Sequence, residues 1–334
     1  MVTVIVITLG PGLGGLRHQF DHAAAGWVVI GCALEVASAL SYVVAFRVVF
    51  CTRMSWGTSY KIAMAELGAD SLLPVGGAGG LALGAWALRR GGMPADEIGH
   101  KSVAFFLLTS APNVGTLALI GVGLAIGLLP GRTSVALGVV PAFAAVCAVV
   151  LVVLVGRASR RFEAKLTTAK QGSKLARLAP ALRATADGVD EALLLLKHAN
   201  PLLLFGIIGY MVFDILVLWA SFRALGASPE LTIVWIAYLI GQLGNLIPIP
   251  GGIGGVELGL VATLVLYGLP ALLSTAAVLL YRVIELWVPA ILGIVAFIQL
   301  RALLRREAES IDLCQPGEVV EIIGRGPVVA KPAA

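Results

Sequence analysis

The sequence predicts an all-α fold: a polytopic transmembrane helical bundle with two inverted repeats, each containing a Gly-rich re-entrant hairpin. Three observations predict it. The composition is apolar, several hydrophobic runs have spanning length, and a glycine-rich break recurs at a fixed offset. Of 334 residues, 59% are hydrophobic and only 13% charged, with a mean hydropathy of +0.96. Soluble domains keep their apolar share near half. A spanning helix needs roughly 20 mostly apolar residues, and Trp27 to Phe46, Ser102 to Leu129, Ser134 to Val155, Pro201 to Ala220 and Leu272 to Leu300 all qualify.

Taken in order, the opening MVTVIVITLGPGLGG is apolar but has neither a basic n-region nor a signal cleavage site, and reads as a first transmembrane helix. Further on, GGAGGLALG at 76–84 aligns without gaps on GGIGGVELG at 251–259, an offset of 175. The same offset places the helix near Gly26 on the one near Pro201, and the helix near Lys101 on the one near Ala276. Each copy is a helix, a Gly-broken apolar hairpin and another helix. The hairpin arms, 62–73 with 77–88 and 231–247 with 254–268, mostly fall short of a full crossing and read as re-entrant.

The expected organisation is one transmembrane domain over 1–306 with a cytoplasmic tail at 307–334. Within it, repeat 1 covers 26–130 and repeat 2 covers 201–305. A linking helix at 134–155 inverts the second copy, and 157–200 forms a cytoplasmic amphipathic segment that either lies on anionic lipid or packs on the bundle. The positive-inside rule supports this topology. Arg47, Arg53, Lys61, Arg89, Arg90, Lys101, the basic cluster from Arg157 to Arg177, and Arg301, Arg305 and Arg306 fall on the cytoplasmic side, and only Arg17, Arg132 and Arg223 outside. Both termini are then cytoplasmic, in a bacterial or archaeal plasma membrane.

Non-helical backbone inside a bilayer persists only where protein buries it or it lines a polar cavity, because an unsatisfied amide in lipid costs several kcal/mol. Pro248 and Pro250 end one half-helix; Gly251, Gly252, Gly254 and Gly255 allow the turn, leaving free amides at a positive helix end that attracts anions. Gly76 and Gly77 hold the matching place in the first copy. Broken helices in paired repeats point to a transporter's central site, although Gly251 and Gly255 also fit small-residue helix packing. Intramembrane charges mark function by default, and the candidates are Glu35, Glu66, Asp70, Asp214, Glu257, Arg282 and Glu285. An ion pair between Glu257 and Arg282 would lower the cost of both, as functional site or structural pair. Asp70 aligns with Asn245, a polar turn position in both copies that either faces substrate or caps a helix. Glu285, one turn from Arg282, is positioned to neutralise it.

Several function classes find no support. The pI of 9.2 reflects basic loops between apolar runs, so nucleic acid is not expected. His18 and His22 flank Asp21 without an evident third ligand, so no metal and no cofactor are expected. Cys32, Cys51, Cys147 and Cys314 show neither a CxxC nor a disulfide-like spacing. No nucleophile–base triad or hydrolytic carboxylate pair is recognisable, so the chain does not read as an enzyme.

NLIPIPGGIGGVE at 245–257, followed by YRVIELWVPAILG at 281–293, resembles the lysylphosphatidylglycerol synthase transmembrane region family of flippase-like integral membrane proteins. The resemblance covers about Gly26 to Leu304. It implies a fold that moves a lipid between leaflets, an aminoacylated phosphatidylglycerol or, in some relatives, a polyprenyl-linked sugar. The motif positions it implies are Pro248, Pro250, Gly251, Gly252, Gly254, Glu257, Tyr281 and Arg282. Full synthases of this family carry a soluble aminoacyl-transfer domain after the membrane part. The sequence is expected to lack it, which argues against lipid synthesis. The alternative expectation is an accessory membrane scaffold presenting a lipid-linked substrate to a separate glycosyltransferase or aminoacyl transferase.

Overall fold

The computed structural model describes residues 14–72, 78–125, 143, 146–147, 150–151, 154–161, 179–198, 200–242, 244 and 254–306. Among these the order is α1 (Gly14–Asp21), α2 (Ala25–Phe50), α3 (Trp56–Leu72), α4 (Ala78–Arg90), α5 (Ala95–Ala125), α6 (Ala179–Lys197), α7 (Pro201–Ala224), α8 (Leu231–Gln242), α9 (Gly255–Leu266) and α10 (Ala271–Arg306). The expected all-α class holds, and α2, α5, α7 and α10 are long and apolar enough to cross a membrane. The opening MVTVIVITL, most of the expected linking helix at 134–155 and the tail at 307–334 lie outside the described residues.

Several helices extend past the hydrophobic runs, α5 and α2 among them. Helix α5 starts seven residues earlier than the apolar run, at Ala95, with Asp96 and Glu97 in its first turn, where carboxylates complement the positive helix end. Helix α2 extends to Phe50, whose carbonyl receives Lys101 Nζ at 2.7 Å, satisfying an end-of-helix acceptor. At α7, Asn200 accepts from the amides of Leu202 (2.6 Å) and Leu203 (3.1 Å) with Pro201 at the first turn, a start that hydrophobicity and capping chemistry both predict.

The centre of the bundle is the α2–α7 pair, and small residues set how closely the two helices approach. A Cβ on Gly31 would lie 3.9 Å from Ala220 Cβ, and one on Gly206 would lie 2.7 Å from the Ala45 amide nitrogen. Ser38 donates to the Tyr210 carbonyl at 3.0 Å. As the residue number rises along α2 it falls along α7, so the helices are antiparallel. Gly31 and Gly206, and likewise Ala45 and Ala220, are also counterparts under the offset of 175. The two contacts therefore exchange into each other.

Arginine–tryptophan clusters mark both ends of this pair. Arg223 lies over Trp27 (5.0 Å) and Trp219 (5.5 Å); Arg47 lies over Trp56 (4.4 Å) at the other end. Such amphipathic residues belong at membrane interfaces. From Trp27 to Arg47 the helix rises about 30 Å, the thickness of a hydrocarbon core.

Short turns join α2 to α3 and α7 to α8. Since α2 and α7 are antiparallel, the α3–α4 and α8–α9 hairpins open at opposite ends of the central pair. Each hairpin closes through glycine. A Cβ on Gly84 would stand 2.5 Å from Glu66 Oε2, and one on Gly259 would stand 3.2 Å from Gly241 Cα. These are the same two positions in each copy.

Helix α3 docks antiparallel on α10 where Gly68 meets Gly293: a Cβ on Gly68 would fall 2.7 Å from Gly293 Cα and 3.1 Å from the Pro289 carbonyl oxygen. The opposite face of α10 exposes Ile291, Ile294, Val295 and Ile298, a stripe at helical spacing suited to lipid. One sequence expectation fails: Cys51 is disulfide-bonded. Linear spacing carries no record of which thiols meet in space.

Candidate functional site

The site forms where the broken second hairpin resumes as α9 and meets α10. Gly254, with φ of 110°, occupies the position before α9, a conformation in which only glycine avoids a steric penalty. The backbone turn then places Glu257 at the third helical position. Its Oε2 reaches back to accept the Gly254 amide at 2.8 Å, the acidic half of a capping box. Of the amides expected to be free around this turn, that of Gly254 already has an intramolecular acceptor.

The other carboxylate oxygen of Glu257 accepts from Arg282 Nε at 2.8 Å, and Arg282 Nη1 donates to Glu285 Oε2 at 2.6 Å. The expected Glu257–Arg282 pair therefore exists, and Glu285 joins it as expected. Each of the three side chains remains about a quarter exposed, 22%, 24% and 25%. A fully sealed structural pair would show none of this. One guanidinium facing two carboxylates leaves the trio with an excess of negative charge.

A second layer lies beneath. Tyr281 is completely buried and donates to Asp214 Oδ2 at 3.2 Å; Tyr238 donates to the same oxygen at 2.7 Å. Tyr281, expected as a substrate contact, thus links α10 to α7. Its neighbour Arg282 reaches the accessible layer.

Asp70 accepts the Gly80 amide at 2.7 Å, so it caps the start of α4, the second of its two readings. Asn245, Pro248, Pro250, Gly251, Gly252, Gly76 and Gly77 lie outside the described residues. Gly255 packs against Gly244, where an added Cβ would lie 2.5 Å from the Gly255 carbonyl carbon, so it serves the close approach of α8 and α9.

Sequence reasoning singled out Asp214 as an intramembrane charge without joining it to the site. Its tie to Tyr281, next to the arginine of the motif, depends on the packing of α7 against α10. No metal-ligating cluster is present among the described residues.

Fold and site together define a polytopic helical membrane protein with a charged, accessible break inside the bundle. The family model for the lysylphosphatidylglycerol synthase TM region matches residues 1–293, and the chain belongs to that family. Over 81 residues it is 32% identical to a UPF0104 membrane protein of Methanothermobacter thermautotrophicus, a stretch that spans 24% of this chain and 24% of that protein. The comparison with solved structures gives no match.

Proposed function

We propose that this integral membrane protein binds the headgroup of an anionic or aminoacylated phospholipid, or of a polyprenyl-linked lipid, and carries it between leaflets as a flippase-like transporter. The observation that carries the reading is the Glu257–Arg282–Glu285 trio, held at a helix break within the span yet a quarter exposed. Arg282, held through Nε and Nη1 by the two carboxylates, brings positive charge to a phosphate, and the carboxylates bring acceptor oxygens to an amine. Their excess negative charge favours a headgroup that bears an amine.

The antiparallel α2–α7 pair and the oppositely opening hairpins support two inverted units with re-entrant arms, the arrangement in which a central site is reached alternately from either side. The cytoplasmic placement of both termini rests on the basic loops. We read the chain as a transporter and not an enzyme, on the lack of a recognisable catalytic constellation in its sequence. The second reading, a scaffold serving a separate transferase, draws on α6, whose exposed Leu193, Leu194 and Leu196 offer an apolar surface near the basic segment.

The test is mass spectrometry of lipids retained by the detergent-purified protein, parent against the Glu257→Gln/Arg282→Ala variant, paired with translocation in liposomes. Selective retention of one phosphate-bearing lipid, lost in the variant along with translocation, is the expected result. Bulk lipid retained alike by both, with no translocation and a transferase co-purifying, would shift the assignment to the scaffold.

A further inference from the structure

The trio leaves two buried acids unaccounted for. Glu35 on α2 and Asp214 on α7 are 5% and 7% exposed. The register of the antiparallel pair, Gly31 beside Ala220 and Ser38 beside Tyr210, sets Glu35 opposite Asp214. Glu35 lies about 12 Å along the helix from the interfacial Trp27, and so well within the hydrocarbon depth.

Their hydrogen bonding is incomplete in a specific way. Asp214 Oδ2 takes both tyrosine hydroxyls, while Asp214 Oδ1 and Glu35 Oε2 are buried with no hydrogen-bond partner. The charges acting on Glu35 are those of Asp214 and Glu285, both negative. Around Asp214 stand Glu285 and Arg282 from α10, and Tyr238 from α8. Tyr210 on α7 lies within electrostatic reach of Asp214, Glu35, Glu285 and Asp70. Arg282 is already engaged by Glu257 and Glu285, so the single cation of this neighbourhood among the described residues is spent on other partners.

Two facing carboxylates in a medium of low polarity, with one bare oxygen each and no cation of their own, cannot both stay ionised. A proton taken up by either acid removes one of the two charges and turns its carboxyl group into a hydrogen-bond donor. We propose that Glu35 and Asp214 form a proton-binding pair at mid-depth in the bundle, and that uptake and release of this proton accompany lipid movement. The chemistry is a carboxylate accepting a proton and returning it, with no other bond changed. The first half stands on the burial, the bare oxygens and the helix register; the second rests on the lipid reading above.

Infrared difference spectroscopy of the purified protein in lipid tests the first half. The parent is expected to show a protonated-carboxyl stretch that disappears as pH rises, and Glu35→Gln/Asp214→Asn to lose it. A titrating band absent from the parent, or unchanged in the double variant, overturns the pair. So does a band that responds to sodium at fixed pH and not to pH, which would assign the site to an alkali cation. If the double variant does not fold, Tyr238→Phe removes one hydroxyl from Asp214 and keeps both acids. It must then move the band and its midpoint, and an unmoved band overturns the assignment.

Liposomes carrying tail-labelled fluorescent phosphatidylglycerol, with and without an imposed pH gradient, test the second half. The parent is expected to respond to the gradient and the double variant to lose that response. Equal, gradient-independent rates in both overturn the coupling. A titrating band with no lipid movement in any variant removes the lipid reading and leaves the proton site standing.

Discussion

The two hairpins share one scaffold and fill it differently. In the α3–α4 hairpin the first arm supplies the acids: Glu66 packs on Gly84 and receives a hydrogen bond from Tyr42, and Asp70 caps α4 at Gly80. In the α8–α9 hairpin the first arm has Gly241 where Glu66 would stand, and the acid, Glu257, has moved to the second arm. The first hairpin turns its carboxylates inward on its own partner arm. The second turns its carboxylate outward to Arg282 on another helix. The first hairpin is also locked to α10 through Gly68 and Gly293, whose counterparts in the other half are Leu243 and Ala118. The first hairpin is thus braced, and the second presents charge.

The largest expected effect comes from breaking the brace. Gly68→Leu or Gly293→Leu drives a side chain into backbone and should cost ~3 kcal/mol, seen as a large loss of thermal stability in detergent and of folded yield. Wild-type stability in either variant would show that the first half is not locked.

Next comes the charged half. Arg282→Ala leaves two carboxylates without their cation, and should destabilise by ~2 kcal/mol, less than a fully buried pair because these side chains are partly exposed. Translocation should fall at least about tenfold, by the loss of a differential contact worth ~1.4 kcal/mol or more. Adding Glu257→Gln should recover stability and not transport, which separates the structural from the functional share of the pair.

A double-mutant cycle sharpens the contrast further. Gly84→Ala should destabilise the parent by ~1–2 kcal/mol, because the new methyl meets the Glu66 carboxylate, and far less in a Glu66→Gly background that copies the second hairpin. Additive effects would mean that the acid does not shape the first hairpin. Gly254→Ala, strained by its positive φ, should cost ~1–2 kcal/mol and weaken lipid retention by displacing Glu257. The smallest effect is expected for Asp70→Asn, which keeps an acceptor for the Gly80 amide and should change the melting temperature by no more than ~0.5 kcal/mol would.

Much of this was legible in the chain because lipid is an unforgiving solvent. A run such as Pro201 to Ala220 has few alternatives to a spanning helix, and the matching glycine strings mark where α3 gives way to α4 and α8 to α9. The Glu257–Arg282 pair followed from the cost of isolated charge. Helix ends were less legible: α5 begins in polar residues that hydropathy assigns to a loop, and only the caps show that the helix continues.

By itself, then, the sequence determined the membrane bundle, the helices on either side of each glycine string and the charged residues within the apolar runs. These follow from local composition and from the energetics of a low-dielectric solvent. Tertiary structure decided which charges meet. Glu35 faces Asp214, Tyr281 turns to Asp214 and not to the accessible layer, and Glu257 takes the Gly254 amide. Each depends on the rotation and register of one helix against another, set by glycines far apart in the chain, and no local pattern encodes that.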